Sequence, residues 1–136
     1  VYPSVIPALA LADSVSFDQV YDDAAASLAT VSCSDGPNGL LPRGFTTFGS
    51  LPNFPHIGGA AAVEGFNSVN CGTCWNLTYT SPQGVSKSIS VLAIDHAATG
   101  FNIALSAMNE LTDNQAVFLG RVDAKATQVD ASVCGL

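Results

Sequence analysis

Charged residues are scarce in this chain, and positive ones are the scarcest. Only 11% of the 136 residues are charged, and four Lys and Arg stand against eleven Asp and Glu, which gives a formal net charge of −7. Proteins bind phosphate backbones through Lys and Arg, so this balance excludes nucleic acid as an expected partner. Anionic membrane surfaces would also repel the chain, whereas a neutral ligand is not penalised.

Long apolar runs are absent as well, and no stretch approaches the roughly 18 residues that span a bilayer. Residues 1–12, VYPSVIPALALA, are nevertheless apolar and uncharged, and they end in Ala10-Leu11-Ala12. That small-x-small ending is typical of a signal-peptidase site, although a basic n-region is missing. We expect residues 1–12 to be either the remnant of a signal peptide or a flexible extension. Residues 13–136 are expected to form a single domain.

Motifs for common enzyme classes are missing too. The chain has no G-x-S-x-G, no phosphate-binding loop and no repeated acidic calcium motif. Hydrolysis of a glycosidic bond requires a pair of carboxylates, and the sequence places one of them well. Asp95 ends a strand that is apolar over 91–94, and we expect it at the mouth of a barrel. Capping of the turn that follows explains Asp95 equally well.

The other polar residues of interest have simpler explanations. Asp35 and Asn38 lie in a loop where tight-turn chemistry accounts for both. Three further carboxylates near the N-terminus are predicted to be solvated: Asp18, Asp22 and Asp23.

Alternation of apolar and polar residues predicts a mainly β chain. Strands are predicted over 14–18, 75–80, 85–95, 117–123 and 126–133. Asn102 is predicted to cap one helix, whose apolar stripe contains Ile103, Ala107, Met108 and Leu111. A turn-rich loop fills 34–59, and one or two helical turns are predicted within 57–64. Four phenylalanines should form a small core under this loop: Phe45, Phe48, Phe54 and Phe66. Many short strands with one good helix favour a small β-barrel.

Four cysteines, an even number, favour a secreted protein. The Cys71-Gly-Thr-Cys74 pair resembles a redox motif, but a strand pattern follows it where such a motif needs a helix. Zinc would need four ligands, and His56 and His96 are isolated in different segments. We therefore expect no metal and no cofactor. Disulfides that include Cys33 and Cys134 remain, and three connectivities stay open.

One sequon, Asn76-Leu77-Thr78, directly follows the second cysteine of that pair on a predicted strand. A strand is a poor acceptor site, so we expect this sequon to carry no glycan.

Three segments in order, CGTCWNLTY, VLAIDHAATGFNIALSAMNELT and LGRVDAKATQVDASVCGL, resemble the cerato-platanin family of small secreted fungal proteins. Earlier segments, VSFDQVYDD and SCSDGPNGLL, fit the same pattern, and the resemblance covers nearly everything from Ser14 to Leu136. It implies a double-psi β-barrel with one or two short helices, like the first domain of expansins and one family of endoglucanases. It also implies the disulfides Cys33–Cys71 and Cys74–Cys134.

The resemblance implies a function as well. Members are secreted to the medium or the fungal cell wall, and they bind chitin-type N-acetylglucosamine oligomers or other wall polysaccharide. They act on plants as elicitors or virulence factors, so a plant receptor is an expected partner. Asp95 matches the Asp that aligns with a catalytic carboxylate of the barrel endoglucanases. Asp35 and Asn38 match positions near a shallow saccharide groove, and His96 is assigned no role.

The residues themselves favour binding without hydrolysis. Asp95 is the one well-placed carboxylate, and the sequence offers no convincing second carboxylate to work with it. The chain has a single tryptophan, which is too few aromatic rings for a surface that binds sugar tightly. We therefore expect weak binding of short oligosaccharides. Two alternatives stay open: an expansin-like cellulose loosener or very weak glycoside hydrolase using Asp95, and a surface-active wall protein that self-associates.

Overall fold

The computed structural model describes residues 12–136, so the expectations for residues 1–11 lie outside the described part of the chain. In that part, six strands close into a barrel in the order β1-β5-β2-β4-β3-β6. Their bounds are β1 Ala12–Phe17, β2 Ile57–Ala60, β3 Cys74–Thr80, β4 Ser86–His96, β5 Phe101–Ile103 and β6 Arg121–Val129. Two short helices, α1 Leu105–Thr112 and α2 Ala116–Leu119, accompany the barrel. The predicted mainly β barrel is confirmed.

Strand pairing in the barrel is mixed. The β1–β5 and β2–β4 pairs are parallel, whereas β3 pairs with both β4 and β6 in antiparallel fashion. The β3–β4 hairpin runs from Cys74 opposite Leu92 to Thr80 opposite Ser86. All four residues from Val91 to Ile94 are buried, as their continuous apolar run predicted. No helix among residues 12–136 is long and apolar enough to cross a membrane.

The helical turns predicted within 57–64 are wrong, because Ile57–Ala60 is strand β2. It lies between β4 and β5 and pairs with both. A Cβ on Gly58 would lie 2.3 Å from the Asn102 carbonyl oxygen, and one on Gly59 would lie 2.8 Å from that of His96. The two glycines therefore permit a close approach of three strands, and they do not mark a loop.

The predicted cap of α1 is also wrong. Asn102 belongs to β5, where it pairs with Ser16 of β1, so the helix begins only at Leu105. The carboxylate of Asp22 accepts hydrogen bonds from Leu105 N at 2.8 Å and from Ser106 N at 3.0 Å. Asp22 is thus a capping residue supplied from a distant segment, not the solvated carboxylate that we predicted. The predicted buried stripe is confirmed for Ala107, Met108 and Leu111.

The C-terminal third contains one strand where two were predicted. Residues 116–119 form α2, which buries Ala116 and exposes Val117 and Phe118. The helix ends at Gly120, which has a φ of +72°, and β6 then runs to Val129 without a break. The alternation over 117–123 is therefore that of a short surface helix followed by a strand.

Two disulfides hold the irregular segments to the barrel, and both have the pairing that the resemblance implied. Cys33 is bonded to Cys71, and Cys74 is bonded to Cys134. Under the long loop Phe48 is fully buried, while Phe45 and Phe54 pack against the core. Phe66 was predicted to join them, but it is 66% exposed, because it lies in the turn between β2 and β3.

Candidate functional site

Asp95 lies near the end of β4, beside Gly59 of β2, and its side chain is half-buried. One carboxylate oxygen, Oδ1, accepts hydrogen bonds from Ser32 N at 3.0 Å and from its neighbour His96 N at 2.9 Å. The other, Oδ2, accepts from the hydroxyl of Tyr21 at 2.9 Å. Three donors from two distant segments and one neighbour therefore fix the orientation of this carboxylate.

Tyr21 reaches Asp95 from a 3₁₀ helix, Gln19–Asp22, that follows β1. The ring is 4% exposed, and its centroid lies 6.0 Å from that of Phe48 in a stacked arrangement. Burial, and then the negative charge of Asp95, raise the pKa of the Tyr21 hydroxyl well above its usual range. The hydroxyl therefore stays protonated and acts as a permanent donor to Asp95.

Ser32 links Asp95 to a second loop. Its carbonyl oxygen accepts from Asn67 N at 3.3 Å, and the Oδ1 of Asn67 accepts from Asn38 N at 2.9 Å. The Nδ2 of Asn38 donates in turn to the Asn67 carbonyl at 3.1 Å. Asn67 makes these bonds from a left-handed conformation, φ +60°, which Asn tolerates better than most residues. The loops around 32–38 and 65–68 thus form one unit with Asp95.

In the described part of the chain, the side chain of Asp35 makes no hydrogen bond to Asp95 or to the residues that link Asp95 to Asn38. This side chain is exposed, and its Oδ1 accepts from the backbone of Gly36 at 2.9 Å, which is turn chemistry. Asn38, in contrast, is joined to Asp95 through Asn67 and Ser32. Of the three residues selected from the sequence, the structure therefore connects Asp95 and Asn38 by hydrogen bonds and leaves Asp35 at the edge.

Sequence reasoning missed three residues of the site: Tyr21, Ser32 and Asn67. Tyr21 is the one aromatic side chain in an otherwise acidic and small-residue segment after β1, and that contrast was an available signal. Asn67 lies in the turn-forming run Gly65-Phe66-Asn67-Ser68, and its role in holding Asn38 had no signal beyond turn propensity. His96, to which no role was assigned, donates from ring Nδ1 to the Val63 carbonyl at 2.7 Å.

A shallow concavity of about 170 Å³ is lined in part by Ala61 and Ala62, which follow β2, and by none of the residues that donate hydrogen bonds to Asp95. Trp75 and Phe101 form its apolar wall, with ring centroids 5.6 Å apart in an edge-to-face arrangement. The indole Nε1 donates to Thr73 Oγ1 at 2.8 Å, so the ring is held in place. Asp13 contributes a carboxylate at the edge. One aromatic face and one carboxylate suit weak contact with a polar ligand that has apolar patches.

The carboxylates near Asp95 are used elsewhere. Asp18 accepts from Val20 N at 3.0 Å, and Asp22 caps α1. Within residues 12–136, no hydrogen bond joins Asp95 to a second carboxyl group, and no cluster of three or more His, Cys, Asp or Glu could hold a metal ion. The arrangement is therefore suited to accepting hydrogen bonds from a ligand.

Comparison with known proteins connects this geometry to a family. The cerato-platanin family model matches residues 13–136. The chain is 53% identical over 122 residues to "Allergen Asp f 15 homolog" of Arthroderma benhamiae, which covers 90% of the chain and 58% of that protein. The chain thus spans little more than half the length of that relative. It is also 44% identical to the "Heat-stable 19 kDa antigen" of Coccidioides posadasii, over 99% of the chain and 88% of that protein.

Solved structures agree with the sequence relatives. The crystal structure of cerato-platanin 2 from M. perniciosa superposes with a TM-score of 0.88 at 53% identity, covering 92% of this chain and 99% of that one. The solution structure of the fungal elicitor cerato-platanin gives a TM-score of 0.75 at 38% identity, covering 89% and 95%. With the family model matched over nearly the whole described chain, this protein belongs to the cerato-platanin family.

Proposed function

We propose that this chain is a secreted, non-catalytic protein that binds N-acetylglucosamine-type oligosaccharides beside Asp95 and acts on plants as an elicitor or wall-remodelling factor. Membership of the family supports the elicitor class, since one solved relative is described as a fungal elicitor. An even set of cysteines, all paired, supports export to an oxidising compartment.

The hydrogen bonding of Asp95 carries the proposal. An ionised carboxylate has about four acceptor positions. Three are filled by Tyr21, Ser32 and His96, which leaves one on an oxygen whose direction is already fixed. A sugar hydroxyl or an N-acetyl N–H is the complementary donor, and it would meet a preorganised acceptor without ordering the protein first.

The same contacts argue against hydrolysis. A glycosidase needs a carboxylic acid that protonates the leaving oxygen as well as a carboxylate that acts as base or nucleophile. The hydroxyl beside Asp95 belongs to Tyr21, whose raised pKa makes it a poor proton donor to a substrate. Binding without bond cleavage is the chemistry that this pair supports.

Weak affinity is expected from the apolar wall. Trp75 offers one indole face, and the neighbouring residues, Ala61 and Ala62, are too small to cover the other face of a sugar ring. Stacking therefore contributes on one side only, and an oligosaccharide long enough to reach both Trp75 and Asp95 would gain the rest from hydrogen bonds.

An amide-detected NMR titration of labelled protein tests the proposal. Tetramers of N-acetylglucosamine and of glucose are titrated in parallel against the wild type, Asp95→Asn and Asp123→Asn, a matched control on an exposed residue of β6. We expect the N-acetylated tetramer to shift the amides of Ser32, Asn67 and His96, and Asp95→Asn to lose these shifts. Absence of shifts at millimolar ligand would refute the proposal. Release of reducing sugar that Asp95→Asn abolishes would favour the hydrolase instead, and paper weakening without release would favour the expansin-like loosener.

A further inference from the structure

A larger concavity, of about 410 Å³, lies at the other end of β4. It opens between the β3–β4 hairpin and the corner that joins α1 to α2, and we call it the hairpin groove. Lys87 of β4 lines it, and Asp95 lies eight residues further along the same strand. At about 3.3 Å per residue, the two positions are roughly 26 Å apart. The hairpin groove is therefore separate from the Asp95 site.

The corner that forms one side of the hairpin groove is held by Asn109. Asp113 and Asn114 follow α1 in consecutive left-handed conformations, with φ of +58° and +66°. The carbonyl of Asn109 accepts from Asn114 N at 2.7 Å, and its Oδ1 accepts from Ala116 N at 3.1 Å. These bonds fix α2 at an angle that places Phe118 on the rim of the groove. The shape of the groove is thus built into the backbone.

The hairpin groove is lined mainly by apolar surface. At the rim Phe118 is 86% exposed and Val85 is 59% exposed, whereas Leu111 at the floor is fully buried. Thr112, also at the floor, donates its hydroxyl to the Met108 carbonyl at 2.7 Å and so offers no free group. Among the described residues, no buried side-chain nitrogen or oxygen lacks a partner. A ligand would therefore find apolar surface inside the groove.

The charged side chains that line the hairpin groove are Lys87 and Asp113. They form a pair, with Nζ 3.5 Å from Oδ1, and Gln83 and Gln115 line the same groove. The two charges cancel, so the groove is locally neutral in a chain of net charge −7. An anion attracted to Lys87 would meet Asp113 as well, and a cation attracted to Asp113 would meet Lys87. The charges therefore disfavour an ionised ligand of either sign.

We propose that the hairpin groove binds an uncharged, mainly apolar small molecule. Its ring or chain packs between Tyr79 and Phe118, and a single hydroxyl or amide reaches Gln83 or Gln115 at the opening. The volume falls within the roughly 300–1,000 Å³ typical of small-molecule sites. The concave shape above a fully buried floor suits a compact ligand better than a flat protein partner. Binding here would be independent of the oligosaccharide proposed at Asp95.

Nile red, an uncharged dye whose emission shifts in apolar surroundings, is the probe for the test. We expect saturable binding at one dye per chain with a blue shift. Phe118→Ser should weaken binding at least tenfold, and Phe66→Ser, a matched change of another exposed phenylalanine outside the groove, should leave it within twofold. Both side chains are largely exposed, so a thermal melt should show that both variants fold. Amide shifts on binding should appear at Tyr79 and Leu119.

Three results would overturn the proposal. Equal loss in Phe66→Ser and Phe118→Ser would mean that the dye reports general surface hydrophobicity. Equally tight binding of an anionic dye, anilinonaphthalene sulfonate, would contradict the charge argument. Sedimentation showing a dimer that Phe118→Ser dissociates, with no dye bound to the monomer, would mean that a second copy of the chain fills the groove.

Discussion

Replacement of Tyr21 by Phe removes one hydroxyl from the Asp95 site and little else. The ring is buried against Phe48, and Phe retains that packing. The bond lost is the one from the Tyr21 hydroxyl to Asp95 Oδ2, 2.9 Å long. Hydrogen bonds to charged groups contribute about 1.5–3 kcal/mol to stability. Asp95 is half-buried, so water can replace part of this bond, and we expect a cost of about 1.5 kcal/mol.

Urea unfolding of Tyr21→Phe, Asp95→Asn and the double variant measures the interaction energy between the two side chains. Asn at position 95 keeps the shape and one acceptor oxygen for the backbone donors of Ser32 and His96. The loss of unfolding free energy in the double variant should therefore be about 1 kcal/mol smaller than the sum of the losses in the two single variants. Additivity within about 0.3 kcal/mol would refute the reasoning, because it would mean that the hydroxyl and the carboxylate do not depend on each other.

The raised pKa of Tyr21 adds a pH signature to the same prediction. In the unfolded chain a tyrosine loses its proton near pH 10, whereas folded Tyr21 keeps it. Above pH 10 the folded state thus binds more protons, and the free energy of unfolding falls as pH rises, by about 1.4 kcal/mol at pH 11. Tyr21→Phe lacks this loss, so the stability difference between wild type and variant should shrink between pH 9 and 11. Parallel pH curves would contradict the assignment.

Three other changes test the framework by urea unfolding at neutral pH. Asp22→Ala removes the remote cap of α1 and should cost about 1–2 kcal/mol, whereas Asp23→Ala, which breaks only a turn bond to Ala25 N, should cost less than half of that. Gly100→Ala should destabilise the fold by at least about 2 kcal/mol, because φ at this position is +52° and a Cβ would lie 2.0 Å from the Ser14 carbonyl oxygen. A neutral effect would contradict this close packing. Replacing both cysteines of either disulfide by serine should lower the free energy of unfolding by about 4 kcal/mol, because the two bonds close comparable loops of 38 and 60 residues. If one of the two replacements caused no loss, the entropic estimate would be contradicted.

Strands with strong local patterns could be predicted from the sequence. β3 alternates from Trp75 to Thr80, and β4 is apolar on both faces at 91–94, so each segment carries its own signal. The disulfide connectivity had no such signal, since the residues left three pairings open and only the family resemblance chose between them. Spacing along the chain says little about which half-cystines a closed barrel brings together.

The missed elements depend on partners far away in sequence. β2 has four residues with two glycines, and it is a strand only because β4 and β5 flank it. The cap of α1 comes from Asp22, more than eighty residues upstream of the helix. No window of sequence around either element contains the interacting residue, so tertiary contacts override the local pattern.

The candidate site likewise contains residues with a local sequence signal and residues without one. Asp95 was selected because a carboxylate stands near the end of a buried strand, which is a local observation. Its partner Ser32 was not, because Ser32 contributes a backbone N–H, and backbone donors leave no trace in side-chain identity. Asn67 acts through its backbone conformation and carbonyl and also through its side-chain Oδ1, which accepts from Asn38 N. The main-chain contacts of a candidate site of this kind cannot be assembled from the sequence.

The disulfides explain why such a site keeps its shape. Cys33 directly follows Ser32, and Cys71 closes the segment that contains Asn67, so the Cys33–Cys71 bond joins the two loops that also meet through hydrogen bonds. The Cys71–Cys74 stretch then enters β3, and Cys74 ties that strand to Cys134 near the C-terminus. The hairpin groove has no covalent tie of this kind and depends on the Asn109 corner. The two ends of β4 share no lining residue, and no bistable element joins them within residues 12–136, so we expect a ligand at one end to leave affinity at the other unchanged.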